Sequence, residues 1–160
     1  MKVTVRKALK TDMSSVLKLI KELALFEREP DAVEVTEEEL IEAGFGPSPQ
    51  FSCLVAEVEN AVVGMALFYP RFSTWKGRSI HLEDLIVTES MRGKGVGRAL
   101  YDKILEYGYE EGVKRVQWEV LNWNEPAVKF YENSGATILK DWWLVHMQED
   151  GLKNYIENKE

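Results

Sequence analysis

The sequence predicts an α/β (α+β) fold: a mixed, mostly antiparallel sheet of six to seven strands flanked by about four helices. Three observations carry this. Short alternating apolar runs are interleaved with longer runs of 3.6-residue period, their order reads β–α–α–β–β–β–α–β–α–β, and tight turns join the middle strands. Hairpin-joined strands pair antiparallel, whereas the strand–helix–strand crossover after residue 87 predicts a parallel, right-handed connection. Val3 and Val5 alternate in a first strand over residues 2–6. Asp12 stands where a cap belongs, ahead of a helix carrying Val16, Leu19, Ile20 and Leu23. Pro30 breaks the chain, and Thr36-Glu37-Glu38-Glu39 has the spacing of a capping box opening a second, short helix. Gly44 ends that helix before a loop with Gly46, Pro47 and Pro49. Residues 51–58 and 62–72 read as strands about a tight Glu59-Asn60 turn. After a loop at Trp75-Lys76-Gly77, residues 79–87 form a fourth strand, and a Gly-rich segment then opens an amphipathic helix through Leu100, Ile104 and Tyr107. Val116, Trp118 and Val120 alternate as a fifth strand; Asn124 caps a further helix with Pro126 in its first turn; Gly135 stops it; residues 142–147 supply another strand.

At 160 residues the chain fits one domain, residues 1–160, and a domain of this size hides roughly 68–70% of its unfolded surface, enough for stability without staples. A single cysteine, Cys53, excludes an internal disulfide and reads as a small buried hydrophobe. His81 and His146 lie far apart without ligand spacing, so no metal is expected. With no long apolar run and no signal-like start, the chain reads as soluble and cytoplasmic. Its net charge of −7 disfavours nucleic-acid and membrane partners. That imbalance is local: Glu27, Glu29, Asp31, Glu34, Glu37, Glu38, Glu39 and Glu42 face one base, Arg28, and charges balance elsewhere. The acidic stretch reads either as a lure for cations or as a solvated face whose acids complement a helix dipole.

The strongest local motif is Arg92-Gly93-Lys94-Gly95-Val96-Gly97-Arg98, following a strand and opening a helix. Three glycines let the backbone approach a ligand closely, and free N–H groups at a helix start form an anion cradle. The spacing matches neither the dinucleotide fingerprint nor the P-loop, and a flexible turn before a surface helix is the plain alternative. Glu83 and Asp84 interrupt an otherwise apolar strand, and side-chain alternation sends them to opposite faces. A carboxylate kept in a largely buried strand calls for a cationic partner, although a solvated strand end would also account for one of them.

Arg92-x-x-Gly95-x-Gly97 after a strand resembles the pyrophosphate loop of the GNAT superfamily of acyl-CoA N-acyltransferases. Residues 20–24, 44–46, 53–58, Leu82-Glu83-Asp84, Trp123-Asn124-Glu125-Pro126 and Phe130-Tyr131 resemble, in order, segments of its spermidine/spermine (diamine) N-acetyltransferase branch. The resemblance implies that acetyl-CoA is bound by the backbone of Leu85, Ile86 and Val87 and by Arg92, Gly93, Lys94, Gly95, Val96, Gly97 and Arg98. It also places Asn124, Pro126 and Ala127 along the pantetheine arm, although a helix cap already explains Asn124. Tyr131 falls on the family's catalytic tyrosine, a proton donor to the departing thiolate, with aromatic packing as the plain reading. Glu83 falls at the substrate amine, together with Phe26, Glu27, Asp84, Gln117, Trp118, Glu119 and, in a gapped region, Asp141. Trp118 equally suits the core.

The implied reaction is direct attack of a primary amine on the thioester while both substrates are bound, with Glu83 taking a proton through water. A homodimer is implied too. Phe26 stands where a polyamine enzyme carries tyrosine, which keeps open a protein-lysine or amino-acid acceptor. A non-catalytic acyl-CoA sensor is the alternative from another class.

Overall fold

Strand alternation and one tight turn organise residues 1–119, the first of two compact units in the computed structural model, which describes residues 1–159. Five strands form one sheet in the order β1 (Thr4–Lys7), β2 (Ser52–Val58), β3 (Ala61–Ser73), β4 (Gly77–Val87) and β5 (Val116–Gln117). The first four pair antiparallel, while β5 pairs parallel to β4 at Ile80↔Val116 and His81↔Gln117. The expected hairpin turn is present: Glu59 and Asn60 both take positive φ, +50° and +65°, the twist that suits a two-residue β-turn.

Each sheet face has its own core. Val55, Met65, Leu67 and Ile86 meet Met13, Val16 and Leu19 of α1 (Met13–Phe26) and Leu40 of α2 (Glu37–Phe45) on one face. Leu54, Ala56, Ala66, Phe68, Ile80 and Leu82 meet Val96, Leu100 and Ile104 of α3 (Val96–Glu110) on the other. Burying one such side chain stabilises the fold by about 1.5–3 kcal/mol. Cys53 is buried in the first core, and burial pushes its thiol up to about 12. The Thr36 capping box forms, with Glu39 N donating to Thr36 Oγ1 at 3.2 Å and Thr36 N to Glu39 Oε2 at 2.8 Å.

Three expectations need correction. Asp12 does not cap α1 through its side chain. Its carboxylate instead accepts from Leu9 N at 2.7 Å and from both terminal nitrogens of Arg6 at 2.6 and 3.1 Å, while Arg6 also donates to Glu57 at 2.8 and 3.0 Å. A bidentate guanidinium is a stronger partner than a helix-end amide. The fifth strand ends after two residues, and residues 142–147 form no strand. Apolar alternation permits a strand but does not make one without a paired ladder, and the sheet of the first unit has five strands. The mixed, mostly antiparallel class holds with five strands rather than six or seven.

Residues 120–159 form the second unit, with α4 (Glu125–Asn133) and α5 (Glu149–Glu157). Asn124 caps α4 as expected: Ala127 N donates to its Oδ1 at 3.4 Å, and Pro126 lies in the first turn. Helix α5 was not expected, although Leu152, Tyr155 and Ile156 follow helical spacing and Glu149 pairs with Lys153 at 2.6 Å. No helix among the described residues is long and apolar enough to cross a membrane.

The Arg6 bridge yields a stability prediction. Hydrogen bonds from Arg6 hold the Asp12 carboxyl below its ordinary range. Such a group adds stability above its unfolded pKa, near 4, and that contribution is lost as pH falls through the lower folded value. Asp12→Ala is expected to lose about 1.5–3 kcal/mol in urea denaturation at pH 7. The gap from wild type should narrow below about pH 4; a constant gap would assign the loss to packing.

Candidate active site

A β-bulge sets the chemistry of β4. Leu67 pairs with Asp84 and Phe68 with Leu82, so Glu83 is the extra residue opposite that step. Alternation restarts there, and Glu83 and Asp84 share one face of the sheet instead of opposite faces. Asp84 pairs with Leu67 of the first core, and Glu83 reaches Tyr69, two residues further along that same face of β3. Leu82 and Leu85 both stay with the second core.

Around the bulge four side chains converge. Tyr69 donates its hydroxyl to Glu83 Oε2 at 2.8 Å. His81 Nε2 stands 3.5 Å from Glu83 Oε2 and 3.5 Å from Glu119 Oε2, and its ring lies 5.2 Å from that of Tyr69. The imidazole is buried, whereas the two carboxylates are half exposed. Burial and the Glu83 carboxylate push the Tyr69 phenol up to about 12, so it remains a donor at neutral pH. Asp84 is half-buried; burial first, then the charges of Glu83 and Glu27, push its carboxyl up to about 6. Burial also raises the Glu27 carboxyl. This face therefore concentrates negative charge, the arrangement that attracts a cation.

The glycine loop lies at the end of β4. Gly93 and Gly95 take φ of +72° and +84°, and a Cβ at either would meet open space, so their backbone conformation and not crowding calls for glycine. Gly95 is the N-cap of α3, and no side chain caps that end, which leaves the first-turn amides of Val96 and Gly97 for an anion. Arg92 donates from Nε to Val87 O at 3.0 Å and lies 5.0 Å from the Phe26 ring centroid. Lys94 is exposed, and Arg98 pairs with Asp102 at 2.9 Å. Because β5 leaves β4 after His81, the opposite edge of Leu85, Ile86 and Val87 carries no strand among the described residues. Its backbone groups suit an extended amide-bearing ligand.

The first unit thus brings together Glu83, Asp84, Glu119 and Glu27 on one side and Phe26, Arg92 and the glycine loop on another. Gln117 pairs with His81 across the strands, and Trp118 packs into the second core with its ring edge-on to Tyr101 at 5.7 Å. Within the second unit, Tyr131 sits on α4 with its ring 5.4 Å from that of Phe130; Asn124, Pro126 and Ala127 form the start of that helix, and Asp141 is exposed. Sequence reasoning missed His81, Tyr69 and Glu22. The His81-x-Glu83 spacing was a usable signal, since residues two apart on a strand share a face. Glu22 accepts from Thr88 Oγ1 at 2.9 Å and Glu89 N at 2.6 Å, anchoring the turn that precedes the loop. Nothing local in sequence links residues 66 apart.

Residues 15–136 match the profile of the acetyltransferase (GNAT) family. The chain is 40% identical to a thialysine N-epsilon-acetyltransferase from Bos taurus, covering 94% of this chain and 95% of that one. It is 32% identical to the human spermidine/spermine N(1)-acetyltransferase-like protein 1 over 92% of this chain and 23% of that much longer one. An integron cassette protein from the mobile metagenome of V. cholerae shares the fold with a TM-score of 0.79 at 22% identity, covering 99% of both chains.

Asp84 gives the site a measurable cost. A folded carboxyl at about 6 keeps a proton that the unfolded chain releases near pH 4, so ionised Asp84 destabilises the fold at neutral pH and not below about pH 4. Asp84→Asn is expected to raise stability at pH 7 by on the order of 1–2 kcal/mol, with the gain fading between about pH 6 and 4. Urea denaturation at both ends of that window checks it; an equal gain at pH 4 would point to packing instead of charge.

Proposed function

The chain belongs to the acetyltransferase (GNAT) family and is an N-acetyltransferase, and we propose that it moves the acetyl group of acetyl-CoA to a primary amine of a diamine, polyamine or lysine-like small molecule. The observation that carries this reading is the acidic face of β4, where the bulge gathers Glu83 and Asp84 beside Glu119 and Glu27. The relatives named for thialysine and for spermidine/spermine have in common an amine at the end of an alkyl chain, cationic at neutral pH.

Acetyl-CoA, as co-substrate, supplies an activated thioester. The residues present fit it: uncapped α3 amides and the Gly93 and Gly95 backbone suit a pyrophosphate, with Arg92, Lys94 and Arg98 adding positive charge. The free edge of Leu85, Ile86 and Val87 suits the pantetheine amides and, at its near end, polarisation of the acyl oxygen by backbone N–H. Asn124, Pro126 and Ala127 are further contacts to that arm. On the acceptor side, Glu83, Asp84, Glu119 and Glu27 bind the ammonium, Phe26, Gln117 and Trp118 line its path, and Asp141 holds a distal charge. Glu83 accepts one proton from the ammonium through water, which frees the nitrogen lone pair for attack. Tyr131 gives a proton to the departing sulfur as the C–S bond breaks and regains one from the nitrogen, which sheds its second proton in becoming the amide. The same reading carries a homodimeric cytoplasmic enzyme, and the net charge of −7 supports small cations, not nucleic acid or membranes, as its partners. The domain is proposed to span residues 1–160, supported by a match over 94% of this chain and 95% of the bovine relative.

A thiol-release assay with acetyl-CoA over putrescine, spermidine, spermine, thialysine, lysine and a lysine peptide tests the acceptor class. Turnover confined to the peptide would overturn the small-molecule reading, and an inert enzyme would leave a sensor. Tyr131→Phe is expected to lower kcat by about 10²–10⁴-fold with CoA affinity retained. Carboxylates that bind an ammonium also hold its proton, so kcat/KM is expected to rise from pH 6 toward 9; a flat profile would remove Glu83 from proton transfer.

A further inference from the structure

His81 is the one buried titratable side chain around the bulge that the proposed chemistry leaves unused. It is 3% exposed, and its Nδ1 has no hydrogen-bond partner among the described residues. Its Nε2 faces two carboxylate oxygens at the same distance, 3.5 Å. A proton on Nε2 therefore lies between Glu83 and Glu119, and a second proton falls on Nδ1, where no acceptor awaits it. With both carboxylates on its Nε2 side and no partner at Nδ1, the ring sits where any change in the charge beside it is felt.

We infer that His81 tunes amine binding: its imidazolium and the ammonium of the amine substrate compete for the carboxylate pair Glu83–Glu119, so amine binding and His81 protonation oppose one another. The inference rests on reading those carboxylates as the ammonium site. With the ring neutral, the pair presents two uncompensated negative charges to the incoming cation. With the ring charged, one is already neutralised from inside the protein. Amine affinity consequently falls as pH falls through the His81 midpoint, and by reciprocity a bound amine lowers that midpoint and expels a proton.

The remaining groups that face this cluster set the background. Tyr69 and Arg71 act from β3, Glu83 and Asp84 from β4, Glu119 from just beyond β5, and Glu27, at the end of α1, acts on Asp84. Gln117, the cross-strand neighbour, is neutral. Tyr69 keeps its proton throughout the neutral range. Asp84 gains one on acidification and weakens cation binding in the same direction, so the test must separate it from His81.

The chain has two histidines, which makes the separation direct. Imidazole proton resonances of the full chain, followed from pH 4.5 to 9 with and without saturating spermidine or thialysine, report His81 alone; His146, exposed in the second unit, is the internal reference. The expected result is a His81 midpoint lowered by at least about half a pH unit on amine binding, with His146 unmoved. In parallel, affinity measured by calorimetry at pH 7.5 and 5.5 should fall at least about threefold more in wild type than in His81→Gln, which retains the Asp84 response. Binding with an unmoved His81 midpoint, or a variant weakened equally at both pH values, would overturn the competition and leave the acceptor reading standing. Absence of binding by both amines at every pH would overturn the acceptor reading and this inference with it.

Discussion

One extra residue in β4 is the constraint on which the site depends. In a regular strand Glu83 and Asp84 would point to opposite faces, and one of them would enter the core packed against α3. The bulge absorbs that conflict. Leu82 and Leu85 both stay with the α3 core, Ile86 stays with the α1 core, and the two acids emerge together on the α1 face. Neither core loses an apolar position to the insertion. A sheet can therefore carry two adjacent carboxylates only because its register slips by one at that point.

The molecule treats its acids in two contrasting ways. Asp12 and Glu57 share the Arg6 guanidinium, which satisfies both with direct hydrogen bonds and ties β1 to β2 and to the start of α1. At Glu83 a phenol and a buried imidazole stand where Asp12 and Glu57 have a guanidinium. The first arrangement serves stability. The second raises the energy of the ionised state, and Asp84 in particular is held well above the ordinary carboxylate range. Such an imbalance is expected where a protein reserves charge for a ligand.

How far this was legible in the sequence follows from the range of the forces involved. The Thr36 box, the Asn124 cap and the Glu59-Asn60 turn are local, set by a few residues and their backbone, and all three are present. The glycine loop was legible for the same reason, since positive φ at Gly93 and Gly95 follows from residue type and spacing. What failed depended on partners distant in sequence. Asp12 has the spacing of a cap, but Arg6 claims it; residues 142–147 alternate yet form no strand; the bulge is a property of the β3–β4 register and leaves no mark in β4 alone. His81 and His146 lack metal-ligand spacing, a criterion blind to the neighbours of His81 on its own strand. The candidate residues themselves were legible through resemblance, but their shared face was not.

Cys53 closes the first core with a thiol pushed up to about 12, and it is the chain's single cysteine. At neutral pH essentially none of it is the nucleophilic thiolate, and the packed core of β2, β3 and α1 bars access. The protein accordingly contributes almost no thiol reactivity of its own. Every turnover of an acetyl thioester liberates one thiol, so a disulfide reagent mixed with this enzyme reads the reaction against a dark background, without needing a cysteine-free variant.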